Sequence, residues 1–141
     1  MREILFRGKT IKGEWIEGSL LQSDPKKIVL PEIRFYYEYE KGKHCLISKM
    51  VIPETVGQYT GLTDKNGKKI FEGDIVICTI VGIREAVKHK GVVEYLEDSF
   101  EVNIKGMLPA QKCLAFSMKN GEVKVIGNIH DNPELLKGGA E

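Results

Sequence analysis

The sequence predicts a mostly β protein, and three observations predict it. Short runs rich in β-branched and aromatic residues recur at 14–21, 34–39, 45–52, 75–81 and 123–129. Turn formers separate them, as at Asn66-Gly67 and Asn120-Gly121, and such steps mark hairpins. No segment holds an apolar stripe at helical spacing over the roughly ten residues that a globular helix needs. Many short strands divided by Gly, Pro and Asn turns argue for a sandwich or a barrel.

The first strand is expected at 3–6 and the second at 14–21, where Trp15 and Ile16 precede Gly18. A third at 27–30 ends at Pro31, which has no N–H to give a ladder. The run 34–39 contains Phe35, Tyr36, Tyr37 and Tyr39, residues that suit a half-buried pleated surface. It reads as a core strand, with base stacking or an oligomer contact as the functional alternative. Gly42 turns the chain, and 45–52 returns to Pro53.

The stretch 57–77, GQYTGLTDKNGKKIFEGDIVI, is the most informative. Gln58, Tyr59 and Thr60 form either a strand crossing between sheets or the rim of a pocket. Asp64 to Gly67 reads DKNG, and Asn-Gly tolerates the positive φ that matches the twist of paired strands. The same residues fail as a calcium loop, because the glycine falls at the fourth position instead of the sixth. Glu72-Gly73-Asp74 makes a second turn, in which Gly73 supplies φ freedom and Asp74 satisfies turn amides. An apolar strand follows at 75–81.

Residues 83–90 (IREAVKHK) read as an exposed loop or short helix and hold the densest basic cluster: Arg84, Lys88, His89 and Lys90. A solvated loop is the simpler reading, and a phosphate-binding loop the sharper one. Strands at 91–95 and 100–104 flank a turn at 97–99, and 108–118 is strand or short helix. Asn120-Gly121 turns into 123–129. A one-turn helix is expected at 132–136, with Asn132 as N-cap and Pro133 at its first position.

Composition narrows the function. With 42% hydrophobic and 29% charged residues among 141, the chain can bury a core and is not disordered. A net charge of +1 lacks the basic excess usual for proteins that live on phosphate backbones. The three cysteines, Cys45, Cys78 and Cys113, are odd in number, widely spaced and free of any C-x-x-C. They read as reduced, mostly buried thiols. His44 and Cys45 are adjacent and would point to opposite faces of a strand. His44, His89 and His130 are scattered, and no nucleophile–base or phosphate-loop pattern occurs. The sequence therefore predicts no enzyme, no metal and no cofactor. Without a signal peptide or a membrane-length apolar run, a cytoplasmic protein is expected.

Three blocks carry a family resemblance. The opening Met1-Arg2-Glu3-Ile4-x-Phe6-Arg7 and Trp15-x-x-Gly18 form the first, and residues 52–76 (IPETVGQYTGLTDKNGKKIFEGDIV) the second. The third is Val125-Ile126-Gly127-Asn128-Ile129-x-x-Asn132-Pro133-Glu134-Leu135-Leu136. In this order they resemble the YopX family of phage and prophage proteins. The resemblance implies complex coiled β-sheets with an SH3-like barrel in the C-terminal part. It implies no established activity and no catalytic residues. The step Gly73-Asp74 ahead of Gly91-Val92-Val93-Glu94-Tyr95 is similar to the opening of an SH3-like barrel.

The expected organisation is a β part over 1–56, an SH3-like barrel part over 57–131, and a short helix and tail over 132–141. The expected function is that of a phage accessory protein binding a protein partner or itself in a bacterial host. A nucleic-acid-binding barrel is the alternative, and no membrane is involved. The candidate binding residues are Gln58, Tyr59, Thr60, Arg84, Lys88 and Lys90.

Overall fold

The computed structural model describes residues 4–21, 30–81, 83–96, 99–103, 114, 118 and 121–136. The chain is mostly β and divides into two compact units, Met1–Tyr59 and Thr60–Glu141.

The first unit contains β1 (Phe6–Lys9), β2 (Trp15–Leu21), β3 (Glu32–Glu40), β4 (Lys43–Met50), a 3-10 turn (Pro53–Thr55) and the start of β5 (Gly57–Thr63). Its strands lie in the order β4-β3-β2-β1-β5, and the paired neighbours run antiparallel. Ile16, Ile33 and Val51 are buried at its centre, with Phe6, Leu20, Phe35 and Val56 packed around them. Beyond β4 the chain curls back to β1. Val51 N donates to Pro31 O at 2.9 Å and Ile52 N to Lys9 O at 2.8 Å. Thr55 then locks the turn: its Oγ1 accepts from Lys9 N at 2.8 Å and donates to Ile52 O at 2.6 Å.

In the first unit, the first strand and the end of β4 differ from expectation for clear reasons. The first strand is 6–9 and not 3–6, because Phe6 and Arg7 find partners on both β2 and β5, whereas Ile4 stands 72% exposed. β4 ends at Met50, since Val51 and Ile52 bridge Pro31 and Lys9. Of the strand expected at 27–30, residues 27–29 lie outside the described residues, and Leu30 is not in a strand.

The second unit holds the end of β5, β6 (Lys69–Phe71), β7 (Asp74–Val81), β8 (Ala86–Leu96), β9 (Ser99–Asn103), β10 (Gly121–Asn128) and a 3-10 turn (Pro133–Leu136). Four of these strands form an antiparallel sheet in the order β10-β7-β8-β9. Register puts Val76 opposite Val125, Cys78 opposite Val123 and Val93 opposite Val102. Strand side chains alternate between faces, so these residues line one face, and with Ile70, Phe100 and Leu114 they make the core. Among the described residues no barrel closes, and the sheet ends at β10 and β9.

Of the basic segment 83–90, residues 83–85 form an exposed connection, as expected of a loop, and the rest does not. Residues 86–90 open the long strand β8, paired with β7 from Val81↔Ala86 to Ile77↔Lys90. Its polarity comes from the alternation of Lys88 and Lys90, on one face, with Val87 and His89 on the other. Of the ambiguous 108–118, Leu114 and Met118 are described, both helical. The expected C-terminal helix is a 3-10 turn, closed by an i→i+3 bond from Leu135 N to Asn132 O at 3.0 Å. Asn132 Oδ1 accepts from Asn128 N at 3.3 Å, reaching back to β10 instead of capping its own turn. Gly127 admits this packing, because a Cβ there would sit 2.6 Å from Asn132 Oδ1 and 3.0 Å from Leu135 Cδ1.

Candidate functional site

The turn at 64–67 is organised by one buried carboxylate. Gly67 N donates to Asp64 O at 2.9 Å, so Lys65 and Asn66 are the central residues and Gly67 follows with φ +82°. The connection is thus a three-residue loop with glycine in the left-handed region, a common hairpin form. Asp64 Oδ1 accepts from Asn66 N and Lys68 N, both at 2.9 Å. Its Oδ2 accepts from Val125 N of β10 at 2.9 Å. Burial pushes the Asp64 carboxyl up, but the amides of Val125, Lys68 and Asn66 and the Lys68 charge outweigh it and hold its pKa below the ordinary value. Asp74 acts similarly at the next turn, its Oδ2 accepting from Phe71 N at 2.8 Å. These acids are architecture.

Gln58, Tyr59 and Thr60 lie on β5. Tyr59 and Thr60 are buried, and Gln58 is half-buried opposite Phe6. Tyr59 N donates to Leu5 O at 2.7 Å. Thr60 Oγ1 donates to Ile70 O at 2.8 Å and accepts from Leu62 N at 3.1 Å. Their visible work is holding strands together.

Arg84 is exposed just before β8. Lys88 and Lys90 share the face of the second sheet opposite its core, and Lys90 Nζ donates to Leu135 O at 2.8 Å. Register adds Lys124 of β10, which stands opposite Ile77, itself opposite Lys90. The sequence hid Lys124 because its pairing across three strands is tertiary. At the far end of the same face, Glu94 stands opposite Glu101.

The aromatic strand departs most from expectation. Past Phe35, the β3–β4 ladder leaves its core behind: Tyr36 is 75%, Tyr37 48% and Tyr39 58% exposed. Leu46, opposite Tyr36, is exposed as well, and so is Cys45, opposite Tyr37. The expectation of buried thiols therefore fails for Cys45 and holds for Cys78, while Cys113 lies outside the described residues. Glu40–Lys43 and Glu38–His44 contacts, each 3.2 Å, brace the hairpin end. Exposed pairs of this kind contribute little.

A cleft of about 410 Å³ opens in the first unit. Glu32, Ser48 and Met50 line it from the β3–β4 ladder, and Ile11 and Lys12 from the turn after β1. Glu14 and Lys49 also line it and meet at 3.0 Å. Among the described residues, no group of three or more His, Cys, Asp or Glu could hold a metal ion. No helix among them is long and apolar enough to cross a membrane.

No curated protein matches the chain. Among solved structures it is similar to protein EF1440 from Enterococcus faecalis, at a TM-score of 0.58 and 24% identity, covering 97% of this chain and 100% of that one. At that identity the likeness speaks for the fold alone. The family model for YopX protein matches residues 5–137, nearly the whole sequence. The chain belongs to the YopX family.

Proposed function

We propose that this protein is a phage- or prophage-encoded accessory protein that binds another protein, without catalysis, in the cytoplasm of a bacterial host. Membership of the YopX family is what supports the source. The observation that carries the binding role is the β3–β4 hairpin, on which Tyr36, Tyr37, Tyr39 and Leu46 stand in water. Exposed apolar groups gathered on one element mark interaction sites, and tyrosine supplies much contact area with few rotamers to freeze. A pull-down from infected cells, alongside light scattering of the purified protein, tests this. The native chain is expected to retain a partner that the Tyr36→Ser/Tyr39→Ser variant loses at unchanged thermal stability. A clean monomer that retains nothing would sink the reading.

We read the second unit as SH3-like. The meander β7-β8-β9, with β10 returning beside β7, supports this. So does the tight turn at Gly73, φ +91°, that feeds β7.

A nucleic-acid role is the second reading. The specific observation favouring it is the shared face of Lys88, Lys90 and Lys124, with Arg84 close by in sequence. Titration of single- and double-stranded DNA and RNA at low salt tests it. Binding should weaken with salt, and Lys124→Ala should reduce the slope by about 1. No binding at low salt ends this reading.

A further inference from the structure

We propose that β4 takes an extended peptide segment of a partner protein as an added strand, seated at the cleft beside Ser48 and Met50. This rests on the protein-docking reading above and specifies its mode. The free edge has a defined register. Val51 N donates to Pro31 O at 2.9 Å, and the ladder keeps that phase, with Lys49 opposite Ile33 and Ile47 opposite Phe35. Successive residues of a strand turn their N–H and C=O groups toward opposite edges. The odd-numbered residues of β4 therefore bond β3, while His44, Leu46, Ser48 and Met50 turn theirs outward. Among the described residues no strand lies on that side, because β4 ends the sheet.

Two residues further along, the same outward direction is already used: Ile52 N donates to Lys9 O at 2.8 Å. From there the line between β4 and the turn after β1 opens into the cleft of about 410 Å³. β1 thus shows how a strand end seats against this side of the chain, and the cleft continues that line past Met50 and Ser48. An added strand along 44–50 would span about 20 Å, or roughly six residues. Edge strands are ready templates for such pairing, and alternate side chains of the incoming segment set its specificity.

The cleft also states the chemistry of the segment. Glu14 and Lys49 satisfy each other at 3.0 Å. Glu32 and Lys12 line the same cleft and enter no ion pair among the described residues. Ile11 and Met50, 70% and 49% exposed, supply apolar walls. The fitting segment places an apolar side chain between Ile11 and Met50, a basic one beside Glu32 and an acidic one beside Lys12.

The test is fluorescence anisotropy with a labelled seven-residue peptide of alternating valines that carries both its lysine and its aspartate near the end that lies beside Met50, where Glu32 and Lys12 line the cleft. Ser48→Pro removes one outward N–H and leaves the bonds to β3 in place, so circular dichroism and Tm should not change. The native chain should bind saturably. Ser48→Pro should weaken binding about tenfold, the size of one backbone hydrogen bond. Glu32→Gln should weaken it about threefold, the size of an exposed ion pair. Absence of binding to the native chain, or equal binding by Ser48→Pro, overturns the proposal. A concentration-dependent dimer that Ser48→Pro dissolves assigns the edge to a second copy and overturns it too. If Ser48→Pro still retains the native chain's partner in the pull-down, strand addition fails and the docking reading stands. If the native chain retains nothing, the docking reading itself falls.

Discussion

Asp64 is a single side chain on which three backbone amides converge, one of them from β10. Removing it leaves the buried Val125 amide without an acceptor, which costs more than the bond itself contributes, and also frees the part-buried amides of Asn66 and Lys68. Asp64→Ala should therefore lower stability by about 3 kcal/mol in chemical denaturation. The pH dependence has a definite sign. The folded pKa is depressed below the ordinary value of 3.8, so this contribution is fully present above that value and is lost as pH falls through the lower folded pKa. Asp64→Asn should be less stable at neutral pH and should lose that part of the acid sensitivity. Equal stability of variant and native chain near neutrality would contradict the role given to this carboxylate. Of the turn itself, Asn66-Gly67 declared its place in the sequence. The role of Asp64 as an anchor for β10 did not show, because Val125 is remote in the chain and its amide carries no signature.

At the scale of elements, the β3–β4 hairpin and β8 show what local sequence can and cannot tell. Phe35, Tyr36 and Tyr37 announced a strand correctly, but their β propensity does not say how far a neighbouring strand covers the pleat. Exposure depends on where the neighbouring strand stops, and β2 pairs β3 only from Glu32 to Arg34. Beyond that the ladder is two strands wide, a form that is marginally stable alone. Hydrogen exchange should therefore be graded along it: the amides of Tyr37 and Cys45 should exchange faster than those of Ile33 and Lys49. Equal protection at both ends would mean that the hairpin end is covered in solution. In β8 the error ran the other way. Lys88 and Lys90 disguised a strand as a loop, and the pairing with β7 overrode that polarity. The Cys45–Ile52 return and the Ile75–Val81 strand were legible because their alternation or β-branching continued through most of their length.

Across the whole molecule, a net charge of +1 conceals local order. On one face of the second sheet, Lys88, Lys90 and Lys124 gather around a single acid, Glu122, away from Glu94 and Glu101, and averaging over composition hides this arrangement, which only register assembles. Thiols give a readout at the same scale. Cys45 is exposed, and Cys78 is fully buried within the second core. A thiol reagent should label Cys45 in the native state and reach Cys78 only through opening of the β10-β7-β8-β9 sheet. Denaturant should accelerate the second reaction far more than the first. Comparable native-state rates would contradict the packing described for β7.

The bond from Val125 N to Asp64 spans 61 positions of the chain. Lys65 N reaches nearly as far, to Val123 O at 3.0 Å. During synthesis the Asn66-Gly67 turn therefore emerges well before the strand that anchors it. Its local bonds to Asp64 Oδ1 can form at once, whereas Oδ2 must remain hydrated until β10 leaves the ribosome. Closing so long a loop is slow compared with closing a hairpin. Completion of the second unit is thus timed by its last strand, and a nascent chain halted before Val125 would hold a formed turn on an unfinished core.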